Sequence, residues 1–398
     1  MTRIFSGAYC EPPGAFNIRD NTLAPRRAGL ICPWARSDKP GYAFGGSKFD
    51  LTKWDDDYFR RLRDFVAEAG KRGVVVEVVF FCPFYDDSMW NLSPMNVANN
   101  VNGIGRVRRH DVYMLRDEKL TAVQQAMVRR IVAALGNFDN VYYEICNEPY
   151  ERSGQTENWQ ARIAETIVKA EEKLRYKHLI AQNLPWRGQN LPSDGKKPMP
   201  VPHVSVLNFH GARRPEPVAL YYDLNKVIAY DETGRGSNTK YRTEGWDFII
   251  AGGGVYDHLD LSFTVGHEDG TGKSNPAWNG GPALHRQLEV LRDFINSFDF
   301  VKMTPDSSVI KGGIPSGVSA RAVVQHGHAY AVYIRGGTQV DPMLELPPGS
   351  YRAEWVNTKS GDVSGIEEFR HRGGERALSS PRYSEDIALR VRRTGVKR

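Results

Sequence analysis

The sequence predicts an α/β fold: a parallel β/α barrel of about 300 residues followed by a small all-β sandwich. Three observations carry this. Short β-rich runs alternate with amphipathic helices as far as residue 300. Gly73 to Phe81 is almost continuously apolar, as a strand covered on both faces should be. After residue 300 the texture changes to alternating runs such as Ala329–Ile334, Met343–Leu346 and Tyr351–Val356, separated by Gly, Pro and Asn turns, with no helix of any length. The boundary is expected near Thr304-Pro305-Asp306-Ser307, giving domains of 1–303 and 304–398.

In chain order, Thr2–Ser6 is a strand, and a long aromatic-bearing loop with Tyr9, Trp34, Tyr42, Phe44 and Trp54 follows. Asp57–Arg72 reads as a helix with Phe59, Leu62, Phe65, Val66 and Ala69 on one stripe and Gly73 as its stop. The strand Gly73–Phe81 leads into a second long loop, from about Cys82 to Arg116. Asp117–Leu135 is helical, with Leu120, Val123, Met127, Ile131 and Leu135 in phase and Gly136 as cap. Val141–Cys146 is a strand, and Glu157–Lys177 a helix with Thr156 as candidate N-cap. The strands His178–Asn183, Val204–His210 and Lys226–Glu232 follow, then a short helix Glu244–Ala251, a strand Tyr256–Phe263 and a helix Ala283–Phe298.

Composition narrows the function class. Of 398 residues, 40% are hydrophobic and 25% charged, which excludes a disordered or fibrous chain. The longest apolar run, Val74–Pro83, contains Glu77 and is too short for a membrane span. Lys plus Arg number 53 and Asp plus Glu 47, a net charge of +6. The dense basic runs, Arg106–Arg109 and Arg390–Arg398, lie in no nucleic-acid motif, so neither a nucleic-acid nor a membrane partner is expected; an anionic glycan is a weaker idea. The four cysteines, Cys10, Cys32, Cys82 and Cys146, have no zinc spacing; a Cys10–Cys32 bridge stays open. MTRIFSGAYC lacks the charged and apolar regions of a signal peptide.

Two carboxylates fall where barrel chemistry sits, at strand ends. Glu148 lies in Val141-Tyr-Tyr-Glu-Ile-Cys-Asn-Glu-Pro149 and Glu232 in Val227-Ile-Ala-Tyr-Asp-Glu-Thr-Gly234, each after an apolar strand and closed by a turn former, Pro149 or Gly234. A buried carboxylate is costly unless paired or used. Two of them across a barrel mouth suit glycoside hydrolysis, one as acid and base with a raised pKa, the other as ionised nucleophile. The bland alternative is two surface loop residues.

Asn147-Glu148-Pro149 at a strand end resembles the acid/base signature of clan A glycoside hydrolases, the cellulase-like retaining TIM-type (β/α)8 barrels. The resemblance places the acid/base after the fourth strand and the nucleophile after the seventh. With Val141–Cys146 as the fourth, the seventh ends on Glu232. Ala251-Gly-Gly-Gly-Val-Tyr-Asp-His-Leu-Asp-Leu-Ser-Phe263 and the C-terminal β module resemble the apiosidase-like branch, with its collagen-binding-type sandwich. Carried over by position, Asn147 would bond the sugar 2-hydroxyl and His210 would line the catalytic subsite, a structural histidine being the alternative. Arg3 would sit near the nucleophile; its alternative is a core ion pair with Glu144 or Glu77. Glu144 shares a face with Glu148 and reads as structural, and Asp231 reads as a hydrogen-bond partner.

The sequence also departs from the clan. The eighth strand ends at Phe263 rather than Trp, with Trp278 as a substitute, and only Tyr230 and Tyr85 are candidates for the tyrosine that bonds the nucleophile. Trp34, Trp90, Trp186 and Trp278 in long loops suggest sugar stacking, against packing as the alternative for each, and the long walls suggest a pocket and exo action. His267-Glu268-Asp269 has the wrong spacing for zinc, and no cofactor or metal is expected.

Counting backwards makes Thr2–Ser6 the second strand, so the barrel lacks its first. The expectation is a further N-terminal strand and helix in the natural gene product or its ancestor. With such a segment the protein would be secreted or periplasmic, without it cytoplasmic. The leading expectation is a retaining glycosidase acting on a polysaccharide or oligosaccharide. The alternative is a non-catalytic carbohydrate-binding protein on a truncated barrel. Oligomeric state is not legible.

Overall fold

The computed structural model describes residues 1–150, 156–186, 197–212, 214–273 and 280–395. The chain divides into two compact units, Met1–Gly211 and Ala212–Arg398. Among the described residues no helix is long and apolar enough to cross a membrane.

The first unit opens with β1 (Thr2–Phe5), followed by an antiparallel hairpin of β2 (Trp34–Pro40) and β3 (Ser47–Trp54). Helix α1 (Asp56–Lys71) leads to β4 (Val76–Phe81), and the short α2 (Asp87–Leu92) and long α3 (Glu118–Leu135) lead to β5 (Val141–Cys146). Helix α4 (Glu157–Glu171) precedes β6 (Ile180–Asn183) and β7 (Val206–Asn208). Strands β1, β4, β5, β6 and β7 lie side by side in that order, all parallel, with β1 at the end of the sheet. These are five of the predicted strands in the predicted succession. Every residue of β4 and β5 is buried, which explains why their runs are apolar but for Glu77 and Glu144.

Local chemistry sets the helix ends. Asp55 caps α1 by accepting from the Tyr58 amide, and Asp117 caps α3 by accepting from Lys119 and Leu120. The predicted stripe of α3 is buried throughout. In α1, Phe59, Leu62 and Val66 are buried, but Phe65 is 45% exposed. Thr156 stands at the N-cap of α4 without a side-chain capping bond; its hydroxyl accepts from Gln160 Nε2 instead. The hairpin β2–β3, expected to be loop, is the main element missed. Its strands are bulged, so the period-2 pattern that betrays a strand is broken.

The second unit holds α5 (Glu216–Tyr221), β8 (Val227–Tyr230), α6 (Asn238–Ile250), β9 (Val255–Tyr256) and α7 (Pro282–Asn296). Strands β8 and β9 pair in parallel. The expected strand Tyr256–Phe263 shrinks to two residues and then runs as loop. Helix α6 starts six residues earlier than predicted, with Ser237 as its N-cap. Tyr241 to Ile250 are all buried, Arg242, Glu244 and Asp247 included, so α6 has no polar face for a periodicity reading to find.

The chain ends in two antiparallel sheets. One has six strands in the order β10 (Thr304–Pro305), β12 (Ser319–Gln325), β13 (Ala329–Arg335), β18 (Asp386–Arg393), β15 (Gly349–Val356), β16 (Val363–His371). The other orders β11 (Ile310–Gly312), β14 (Met343–Leu346), β17 (Gly374–Ala377). Val332, Ile334 and Trp355 of the first sheet and Leu344 and Leu346 of the second enter one apolar core.

Candidate active site

The site of the first unit rests on a charged floor. Arg3 and Glu77 stand opposite each other in the β1–β4 register, and Val79 faces Glu144 between β4 and β5. The Arg3 guanidinium Nη2 donates to Glu144 Oε2 at 2.5 Å and to Asn147 Oδ1 at 2.6 Å, while Nε lies 3.4 Å from Glu77 Oε2. The other oxygen of Glu144 accepts from Asn208 at 3.0 Å and Asn183 at 3.3 Å. Those two amides are register partners at the ends of β6 and β7. Glu144 is 0% exposed, and a fully buried carboxylate persists only where a cation and donors meet both oxygens.

Above this floor the backbone turns. The Asn147 amide donates to Phe81 O at 2.9 Å, extending the β4–β5 ladder one residue past Cys146. Glu148 then adopts φ 39°, in the left-handed region, and the Tyr150 amide closes on Glu148 O at 2.7 Å. A non-glycine residue there carries strain of about 1–3 kcal/mol, which a rigid surround must hold.

A hydrogen-bond chain runs from the floor to that carboxylate. Arg3 holds Asn147 Oδ1, Asn147 Nδ2 donates to Tyr85 OH at 2.9 Å, and Tyr85 OH donates to Glu148 Oε2 at 2.8 Å. His210 Nδ1 lies 3.0 Å from Glu148 Oε1, its imidazole buried two residues past β7. The Glu148 side chain is 26% exposed and forms the open end of the chain. Burial pushes its carboxyl up, but the hydrogen bond and charge of His210, the Tyr85 hydroxyl and the Arg3 charge outweigh burial and hold it below the ordinary carboxylate value. This is opposite to the raised pKa expected of an acid/base residue, and the cause is that both oxygens meet donors.

The sequence-predicted residues fall as follows. Asn147, Glu148 and His210 come together, and Arg3 joins them through the core ion pairs that were its alternative reading. Glu232, in the second unit, lies two residues past β8 and is half-buried; the preceding Asp231 is buried. Trp34 and Trp90 are corrected. Trp34, the first residue of β2, is 1% exposed, and Trp90 is 4% exposed, donating to Val107 O at 3.0 Å and packing on Phe84. Neither offers a ring face to a sugar. Trp186 is half-buried, edge-on to Phe209, and Trp278 lies outside the described residues. Tyr230 OH donates to the Arg214 backbone, while Tyr85 OH donates to Glu148 Oε2. His267, Glu268 and Asp269 are exposed loop residues. All four cysteines are free and buried, so no Cys10–Cys32 bridge exists.

Sequence reasoning missed Asn183 and Asn208. Each ends an apolar strand with an amide, in Ile-Ala-Gln-Asn183 and Val-Leu-Asn208, and that repeated strand-end amide was the available signal.

No protein-family profile and no curated protein sequence matches the chain. Among solved structures, a glycoside hydrolase family 5 protein from Bacteroides vulgatus superposes with a TM-score of 0.57 at 15% identity, covering 85% of this chain and 75% of that one. A second glycoside hydrolase gives a TM-score of 0.55 at 16% identity, over 85% of this chain and 78% of the other. The chain is thus similar in fold to α/β barrel glycoside hydrolases.

Proposed function

We propose that this chain is a retaining glycoside hydrolase that cleaves O-glycosidic bonds of a polysaccharide or oligosaccharide. The observation that carries the reading is the Arg3–Asn147–Tyr85–Glu148–His210 chain, which brings a partly open carboxylate to the C-terminal end of a parallel strand. The fold shared with glycoside hydrolases supports it.

In the proposed mechanism Glu232 attacks the anomeric carbon and Glu148 protonates the leaving oxygen; Glu148 then draws a proton from water to release the sugar. Glu148 carries the proton that it gives to the leaving oxygen, and His210 Nδ1, 3.0 Å from Glu148 Oε1, is placed to supply it. Arg3 and Tyr85 fix the Asn147 amide in position for the sugar 2-hydroxyl. Residues 1–303 would form the catalytic barrel and 304–398 a β-sandwich module, and the long loops favour exo action at a pocket.

Substitution tests the assignment. Glu232→Gln should abolish turnover of aryl glycosides, and azide should restore turnover to Glu148→Ala with a retained anomer in the NMR spectrum of the product. Full activity in either variant overturns the assignment. Glycan binding by a folded wild-type chain that hydrolyses nothing across a broad panel would favour a carbohydrate-binding protein instead.

A further inference from the structure

The second unit gathers three side chains that the glycosidase reading does not use. His258 and Asp260 lie in the loop that follows β9, and His285 sits on the first turn of α7. Asp260 Oδ2 is 2.5 Å from His285 Nε2 and 3.6 Å from His258 Nε2. The donor atoms of all three residues lie within 4.8 Å of one another.

His258 points to a ligand. Its side chain is 2% exposed, and neither ring nitrogen has a hydrogen-bond partner. The nearest carboxylate oxygens are 3.6 Å from Nε2 and 3.9 Å from Nδ1, beyond hydrogen-bond reach. A buried neutral imidazole carries one donor and one lone pair, and leaving both unused is rare in folded proteins.

The surroundings hold all three groups in place. Asp260 Oδ1 accepts from the Ser262 amide at 2.7 Å, which turns Oδ2 towards the histidines. The His285 ring stacks on Phe263 at 5.0 Å, and His258 packs on Tyr241 at 4.6 Å. The backbone closes in as well: a Cβ on Gly280 would lie 2.4 Å from Asp260 Oδ1. Such orienting contacts are what a metal ligand needs from its neighbours.

We propose that His258, Asp260 and His285 bind a divalent transition-metal ion of the zinc type. Two imidazoles and a carboxylate suit that class, and three protein ligands leave a position for water. Donors bound tetrahedrally at about 2.0–2.1 Å stand roughly 3.3 Å apart, close to the His258–Asp260 separation. The shorter His285–Asp260 contact opens as the ion enters between them. The ion would clip the loop after β9 to helix α7, two segments 25 residues apart that no disulfide joins. This site is independent of the glycosidase reading and does not stand or fall with it.

The test uses the full chain, stripped with a chelator. Zn2+ is titrated in competition with a chromophoric chelator, and Co2+ is added separately for its visible absorption. The expected result is about one ion per chain with a dissociation constant below roughly 1 μM, a tetrahedral Co2+ band, and a melting temperature raised by Zn2+. Affinity should fall at least about tenfold in Asp260→Asn and His258→Ala and stay unchanged in His267→Ala. Should His258→Ala fail to fold, His285→Gln, at a position 31% exposed, gives the same comparison. A wild-type chain that takes up no stoichiometric Zn2+, or one whose affinity survives all three ligand substitutions, overturns the proposal.

Discussion

Replacing Arg3 by Met removes the guanidinium from Glu144 while keeping an unbranched stem in the same space. The substitution breaks a 2.5 Å ion pair to a carboxylate that is 0% exposed. Breaking a buried pair by removing one partner costs about 3–5 kcal/mol. The two amide bonds from Asn183 and Asn208 survive, so the lower end, about 3 kcal/mol, is expected. Glu77, at 3.4 Å from the guanidinium, adds less. The double variant Arg3→Met/Glu144→Gln removes the charge stranded at Glu144 and still offers an oxygen to both amides, while Glu77 stays without Arg3. It should recover the larger part of the loss. Urea unfolding of the full chain at neutral pH, followed by circular dichroism and tryptophan fluorescence, reads both values. A destabilisation below about 1 kcal/mol in the single variant, or a double variant as unstable as the single, would refute the ion-pair account of the floor.

Three further outcomes are expected. Tyr85→Phe removes a donor that holds the Glu148 carboxyl down, so the carboxyl should titrate at higher pH; 13C NMR of labelled glutamate reads this, and an unmoved titration contradicts the network. His178 is desolvated, but its contact with Glu171 and the Phe138 carbonyl raises its pKa above the ordinary value. Its stabilisation is therefore full below the unfolded value of about 6.5 and lost as pH rises through the folded value. The melting-temperature deficit of His178→Gln should be larger near pH 5.5 than near pH 9, and an equal deficit at both would remove the ion pair from the account. Trp34→Ala should lose about 3–5 kcal/mol of stability while the folded fraction keeps its KM; a raised KM with intact stability would restore Trp34 as a sugar contact.

The central parallel strands were legible because both of their faces are buried and so read as mostly apolar runs. Asn147 and Glu148 were singled out by the Asn147-Glu148-Pro149 word at a strand end and its resemblance to a clan signature; position alone did not separate them from surface loop residues. The hairpin β2–β3 was hidden by its bulges, and α6 by being buried on every side. Trp34 and Trp90 were misread because a loop tryptophan looks the same in sequence whether it faces a ligand or fills a core. The direction of the Glu148 pKa was illegible for a related reason. It depends on Tyr85 and His210, which are 63 and 62 residues away in sequence. The His258–Asp260–His285 cluster was hidden because its third member is 25 residues downstream, outside any compact spacing rule.

Helix α6 bears on whether the C-terminal strands are a detachable appendage. Its Arg242 pairs with Asp386 at 2.6 Å and Glu385 at 3.0 Å, and its Asp247 meets Arg321 and Arg335, each at 3.3 Å. Its Trp246 stacks on Tyr333. Every one of those partners lies beyond residue 304. A chain cut at the boundary that the sequence texture suggests would therefore strand opposite charges and an indole on the surface of the piece retained. Recombination or engineering that treats the strands after that boundary as an exchangeable cassette would have to carry α6 along with them. The unit of inheritance is then set by a helix upstream of the visible seam.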